Sequence, residues 1–161
     1  MDYEITERDR KYMALAIEKA VENIQAGGGP FGAVIVKDDA VVAVEGNRVT
    51  ANNDPTAHAE IQAIRAACRA LGTFDLSGCT LYASCEPCPM CVGAIYWAHL
   101  DRYFYAGTQL DAKDADFDDS FIYREFATAP ERRSIPALYI HTPESQKPFD
   151  FWRENAEKVK Y

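Results

Sequence analysis

The octapeptide SCEPCPMC, residues 84–91, sets three cysteines three residues apart, at Cys85, Cys88 and Cys91. It follows the short apolar run CTLYA and leads into VGAIYWAH, so it reads as the junction between a strand and a helix. Pro87 favours extended backbone at the residue before it and marks where the strand stops. Cys88 and Cys91 then lie across the first turn of the helix, where positions three apart share a face. Any fold this chain adopts has to deliver that junction, with its thiols, to whatever other donors the sequence supplies.

Length and composition narrow the choices. The 161 residues suit one domain with a sizeable core, spanning 1–161, and 48% hydrophobic against 26% charged residues describes a globular chain. No apolar run approaches the roughly 18 residues of a membrane span. The opening MDYEITERDR is acidic and polar, unlike a secretory signal. Seventeen basic against 25 acidic residues leave a net charge of −8, which repels phosphate backbones and argues against a nucleic-acid partner. Five cysteines, an odd number with three in one octapeptide, point to a reducing, cytoplasmic setting in which thiols serve a metal. Cys68 and Cys79 read as buried apolar residues.

Along the chain, residues 6–26 form an amphipathic helix capped by Thr6 with Asp9 three later, and Met13, Ile17, Val21 and Ile24 keep to one face. GGGPFG (27–32) ends it. AVIVKDDAVVAVEG makes two strands around a tight turn, NRVTANNDPT a polar loop and AHAEIQAIRAACRALG a helix. CTLYAS and DRYFYAG are strands, 107–119 is a polar acidic stretch, SFIYREF is helical and PALYIHT a fifth strand. The tail from Pro148 to Tyr161 is an amphipathic helix. Helices alternating with strands describe an α/β domain with a sandwiched sheet.

Zinc takes nitrogen and sulfur ligands in a tetrahedron. His99 and His141 stand alone and read as packed or exposed side chains, but His58 opens a helix in the tripeptide HAE. His58, Cys88 and Cys91 supply one neutral imidazole and two thiolates, which balance Zn²⁺ and leave a fourth position for water, the pattern of a catalytic site. Water bound there loses its proton near neutral pH, with a pKa falling from about 15.7 toward about 7. Cys85 offers an alternative, a closed Cys3His structural site, but the extended backbone imposed by Pro87 need not aim its sulfur with the other two. Glu60 is a solvated helix residue taken alone; beside such a zinc it becomes a general acid/base.

Together His58-Ala59-Glu60 and Pro87-Cys88-Pro89-Met90-Cys91 form H-A-E … P-C-x-x-C, the zinc deaminase signature in which the glutamate shuttles protons. The chain resembles the cytidine deaminase-like superfamily. GGPFGAVIV, NDPTAHAEI, SCEPCPMCVGAIYWA and FDDSFIY resemble its bacterial guanine deaminase branch over essentially the whole length. The resemblance implies a three-layer α/β/α sandwich with a central mixed five-stranded sheet. It also implies one Zn²⁺ per chain and hydrolysis of guanine to xanthine and ammonia. Within it, Asp119 matches a second carboxylate that protonates the departing amine, Asn47 a residue that hydrogen-bonds the purine, and Phe31 and Trp97 aromatic positions near the base. Without it, Asp119 is one acid among five in a loop, Asn47 a turn residue, and the two aromatics equally core. The resemblance further implies a homodimer in which the C-terminal segment, about 148–161 and ending in Tyr161, crosses to cover the partner's site. The apolar face of that segment fits an intrachain helix as well.

Rival readings keep the same core. A guanosine, ammeline or cytosine deaminase differs only in pocket shape. A tRNA adenosine deaminase shares both motifs but needs the basic surface this chain lacks. A zinc-stabilised binding module closed by Cys85 would have no use for Glu60.

Overall fold

The computed structural model describes residues 3–161 and divides into two compact units, one ending at Asp119 and the other Ser120–Tyr161. In the first unit, α1 (Glu7–Gln25) is followed by the strands β1 (Gly32–Lys37) and β2 (Ala40–Gly46), the single turn α2 (Val49–Asn52), and α3 (Ala59–Leu71). Then come β3 (Cys79–Cys85), α4 (Pro89–Trp97), β4 (Arg102–Gly107) and the short α5 (Gln109–Asp114). The second unit holds α6 (Ser120–Ala127), two 3₁₀ turns and α7 (Lys147–Glu154).

The capping expected at α1 is present: the Thr6 hydroxyl accepts from the Asp9 N–H, and the Asp9 carboxylate accepts from the Thr6 N–H. The β1–β2 hairpin turns on Asp38 and Asp39, both with positive φ (48° and 62°), the backbone a right-twisted two-residue hairpin needs. The sheet runs β2-β1-β3-β4, with β1 antiparallel to both neighbours and β3 parallel to β4 through the α4 crossover. Alternate residues of β1 serve opposite layers. Ala33 and Ile35 pack with Ala59, Ala63, Leu81 and Ile95 on the α3–α4 side, while Val34 and Val36 pack with Tyr12, Ala16 and Tyr82 on the α1 side. Burying each Ile or Leu on such faces stabilises by about 1.5–3 kcal/mol. The expected three-layer α/β/α arrangement with a mixed sheet is what forms.

Three expectations change. The sheet has four strands, not five: PALYIHT forms no strand and pairs with none among the described residues, and Ile135, Leu138, Tyr139 and Ile140 are 77–85% exposed. Apolar β-formers make a segment competent to be a strand, but only a partner's unpaired edge makes it one. The face of α1 that meets the sheet is not the aliphatic stripe. Met13 of that stripe packs against the core, but Ile17, Val21 and Ile24 are about half exposed, and Tyr12, Ala16, Ala20 and Asn23 are buried instead. The cause is close approach: a Cβ on Gly32 of β1 would lie 2.2 Å from the Ala16 carbonyl oxygen and 2.7 Å from the Ala20 nitrogen, so alanines suit the crossing. Finally, the tail helix is shorter than expected, ending at Glu154, where Asn155 turns the chain by accepting the Glu157 N–H on its side chain.

Candidate metal centre and active site

His58 and Cys88 occupy equivalent places, each the N-cap of a helix. Their backbones are extended (φ/ψ −66°/156° and −65°/167°) and neither side chain caps its own helix, so both are free to point away. Pro89 follows Cys88 at the first helical position, where its missing N–H is no loss, and Cys91 comes one turn in. The parallel β3–β4 pair and α3 bring these helix starts together. The Cys88 and Cys91 sulfurs are 3.6 Å apart, and each lies 3.5 Å from the His58 Nδ1.

Those separations test the metal. Zn–S of about 2.3 Å and Zn–N of about 2.0–2.1 Å at tetrahedral angles give edges of about 3.8 Å between sulfurs and about 3.6 Å from sulfur to nitrogen. The three atoms therefore already span one face of a zinc tetrahedron, and they are the metal-capable group found among the described residues. Hydrogen bonding from Cys91 and then His58 holds the Cys88 thiol down to about 4, whereas its bond to Cys88 and burial push Cys91 up. A dication held at this face would favour the thiolate form of both.

Glu60, at the second position of α3, is 8% exposed. Burial first, then the Cys88 charge, raises its carboxyl above the ordinary range, which suits a group that must both take and give a proton near neutral pH. Cys85 is set apart: its sulfur donates to the Thr108 carbonyl at 3.6 Å, and burial raises its thiol to about 11. The site therefore keeps three protein ligands.

Asn47 is buried at the end of β2. Its N–H donates to the Phe31 carbonyl (3.1 Å), and its side-chain oxygen accepts from Val49 (3.1 Å). Phe31 packs edge-on to Phe117 with ring centres 4.9 Å apart. Asp119 is half-buried, takes a 2.6 Å hydrogen bond from the Gln109 side chain, and lies near enough to His58 for its charge to help raise that imidazole, after the Cys88 hydrogen bond. Trp97 is not brought to this group. It ends α4, opposite the ligand-bearing start, and lines an apolar groove between α3 and α4 with Ile64, Phe74 and Met90. Tyr161 is exposed in the second unit. His99 pairs with Asp75, and His141 with the Tyr139 hydroxyl, as lone histidines do.

Two residues behind the site went unread in the sequence. Asn23 of α1 donates to the carbonyls of Gly29 (2.8 Å) and Asn47 (2.9 Å). Gln109 opens α5 inside a stretch expected to be loop. The signal was there, because Thr108 and Asp111 form the same capping box as Thr6 and Asp9.

Residues 6–107 match the family described as the cytidine and deoxycytidylate deaminase zinc-binding region. The guanine deaminase of Bacillus subtilis is 53% identical over 151 residues, 93% of this chain and 97% of that protein. A crystal structure of guanine deaminase from Bacillus subtilis aligns with a TM-score of 0.93 at 51% identity, covering 98% of this chain and 99% of that one. A tRNA-specific adenosine deaminase of Agrobacterium fabrum is 40% identical over 135 residues, 84% of this chain and 86% of that protein. A zinc face of two thiols and an imidazole, a buried glutamate beside it and a match running from the first helix to the end of β4 place this chain in the cytidine and deoxycytidylate deaminase zinc-binding family.

Proposed function

We propose that this protein hydrolyses guanine to xanthine and ammonia, using one Zn²⁺ held by His58, Cys88 and Cys91. The observation that carries the reading is the near full-length match to a guanine deaminase, 53% identical across 97% of that protein. When bound, the metal lowers the pKa of its fourth ligand, a water, to near neutral. Water adds to C2 of the base, the bond from C2 to the exocyclic nitrogen breaks, and ammonia leaves. Glu60 takes a proton from the water oxygen and delivers it to the ring nitrogen beside C2. Asp119 takes the second proton of the added water as the C2 hydroxyl becomes a carbonyl and passes it to the departing amine, so that both protons of the water are placed. Asn47 hydrogen-bonds the purine, and Phe31 packs against its ring. The test is turnover by the zinc-replete protein of guanine, guanosine, ammeline, cytosine and a tRNA anticodon stem, with guanine consumption followed by ultraviolet absorbance. Preference for any other member of that set refutes the assignment. A tRNA substrate is the least favoured, because a net charge of −8 opposes a polyanion.

The assembly that completes the enzyme is a homodimer in which the C-terminal segment, 148–161, crosses to the partner. Support comes from apolar surface that a single chain leaves exposed: Trp97 and Tyr96 on α4, and Ile135, Leu138, Tyr139, Ile140, Phe149 and Phe151 in the second unit. In this arrangement Tyr161 contacts the substrate of the other subunit, and Trp97 acts at or near the subunit boundary. Light scattering at twice the 18.0 kDa chain mass is expected, and a monomer at working concentration refutes it. Among the described residues no helix is long and apolar enough to cross a membrane, and the free thiols of the metal site suit the cytoplasm.

A further inference from the structure

We infer that Gln109 is the positioning residue of the Asp119 carboxylate, an inference that rests on the role proposed above for Asp119. The parallel β3–β4 ladder runs out at Cys85 opposite Gly107, and the Glu86 N–H extends it by donating to the Gly107 carbonyl at 2.8 Å. The end of β4 is thereby laid beside the loop that carries Cys88. Two residues on, Gln109 begins α5, and its backbone N–H, one of the donors a helix start leaves without an internal partner, is taken by the Glu86 carboxylate at 3.1 Å. With its main chain held there, the side chain reaches back and Nε2 donates to Oδ1 of Asp119 at 2.6 Å.

Each link has a chemical reason. Glu86 sits between Cys85 and Pro87, so the clamp ties Asp119 to the segment that bears a metal ligand rather than to a free loop. An amide has a donor to give and no proton to lose, so it orients a carboxylate without joining its proton exchange. It occupies one carboxylate oxygen and leaves the other free for the leaving amine. A hydrogen bond to an ionised group is also about twice as strong as a neutral one. Asp119 is the residue between the acidic stretch 111–118 and α6, itself in no strand or helix, where a carboxylate left alone would sample several rotamers. Loss of orientation at a proton donor lowers the rate of the chemical step more than binding.

The test compares Gln109→Met, which keeps length and removes the donor, with Gln109→Glu, which keeps shape and sets a second carboxylate against Asp119. Gln109→Met is expected to lower kcat for guanine about tenfold to hundredfold, with KM within about twofold and one zinc retained per chain. Gln109→Glu is expected to be worse still. A merely structural role predicts the reverse order, because glutamate fills the space of glutamine more closely than methionine does, and that order overturns the inference. In an Asp119→Asn background, Gln109→Met should change kcat by less than about twofold. The same loss in both backgrounds also overturns it, while leaving the role of Asp119 intact. Near-normal turnover by Asp119→Asn alone would instead overturn the reading of Asp119, and the inference with it.

Discussion

Asn23→Ala removes a buried amide that joins three parts of the fold: the end of α1, the glycine loop before β1, and Asn47. Both hydrogens of Nδ2 are used, toward the Gly29 carbonyl at 2.8 Å and the Asn47 carbonyl at 2.9 Å. The two acceptors are not left in the same state. The Gly29 oxygen keeps a second donor, the Phe31 N–H at 2.9 Å, so its loss is an ordinary hydrogen bond of about 0.5–1.5 kcal/mol. The Asn47 oxygen has no other donor among the described residues, and an orphaned buried carbonyl costs about 1–3 kcal/mol. Relaxation is limited, because the amide is fitted between two glycines. A Cβ on Gly28 would lie 2.3 Å from Nδ2, and one on Gly46 2.5 Å from Oδ1. The sum is about 2–4 kcal/mol, which for a chain of this length lowers the melting temperature by roughly 5–15 °C. Calorimetry of the zinc-loaded protein at one fixed concentration measures it. Asn23→Asp should fall further, since it points a carboxylate at two carbonyl oxygens. The surviving Asn23→Ala protein should show a raised KM for guanine, because Asn47 loses its anchor. A melting temperature within about 1 °C of the parent, or an aspartate variant more stable than the alanine one, would refute the reasoning.

Glu60→Gln should keep one zinc per chain and lose about 10²–10⁴-fold in kcat, as removal of a general acid/base does; near-normal turnover by the zinc-loaded variant would end the mechanism. Cys85→Ser should retain full zinc content by metal analysis, since the Cys85 sulfur faces the Thr108 carbonyl, whereas loss of the metal would restore the four-ligand structural site. Asp9 gives a pH signature. Burial opposes its ionisation, but hydrogen bonds from Thr6, Tyr82 and Tyr3 outweigh this and hold its carboxyl below the ordinary value. A carboxyl depressed in the folded state contributes stability above its unfolded pKa, about 3.9, and loses it as pH falls through the lower folded value. Asp9→Asn should therefore be less stable than the parent at pH 7, with the gap narrowing below about pH 4 in urea titrations; a gap independent of pH would remove Asp9 from the account.

The sequence by itself determined what depends on neighbours along the chain. Two helix starts carrying His58 and Cys88, one turn separating Cys88 from Cys91, the capping of α1 by Thr6 and Asp9, and the tight hairpin between β1 and β2 are all properties of a few consecutive residues. They could be read because spacing alone dictates which side chains share a face. The metal set followed because a tetrahedral ion tolerates few arrangements of imidazole and thiolate. Only the tertiary structure decided what depends on approach between distant segments. Which face of α1 is buried came from the clearance over Gly32, so alanines displaced the more hydrophobic stripe. Whether 136–142 becomes a strand is a matter of finding an edge to pair with, which no periodicity encodes. Trp97, read as a neighbour of the base, shares a helix with Cys88 yet stands at its other end, because nine helical residues span about 13 Å. Asn23 and Gln109 carry no motif of their own, and they acquire their roles from the carbonyls and the carboxylate that folding places in front of them.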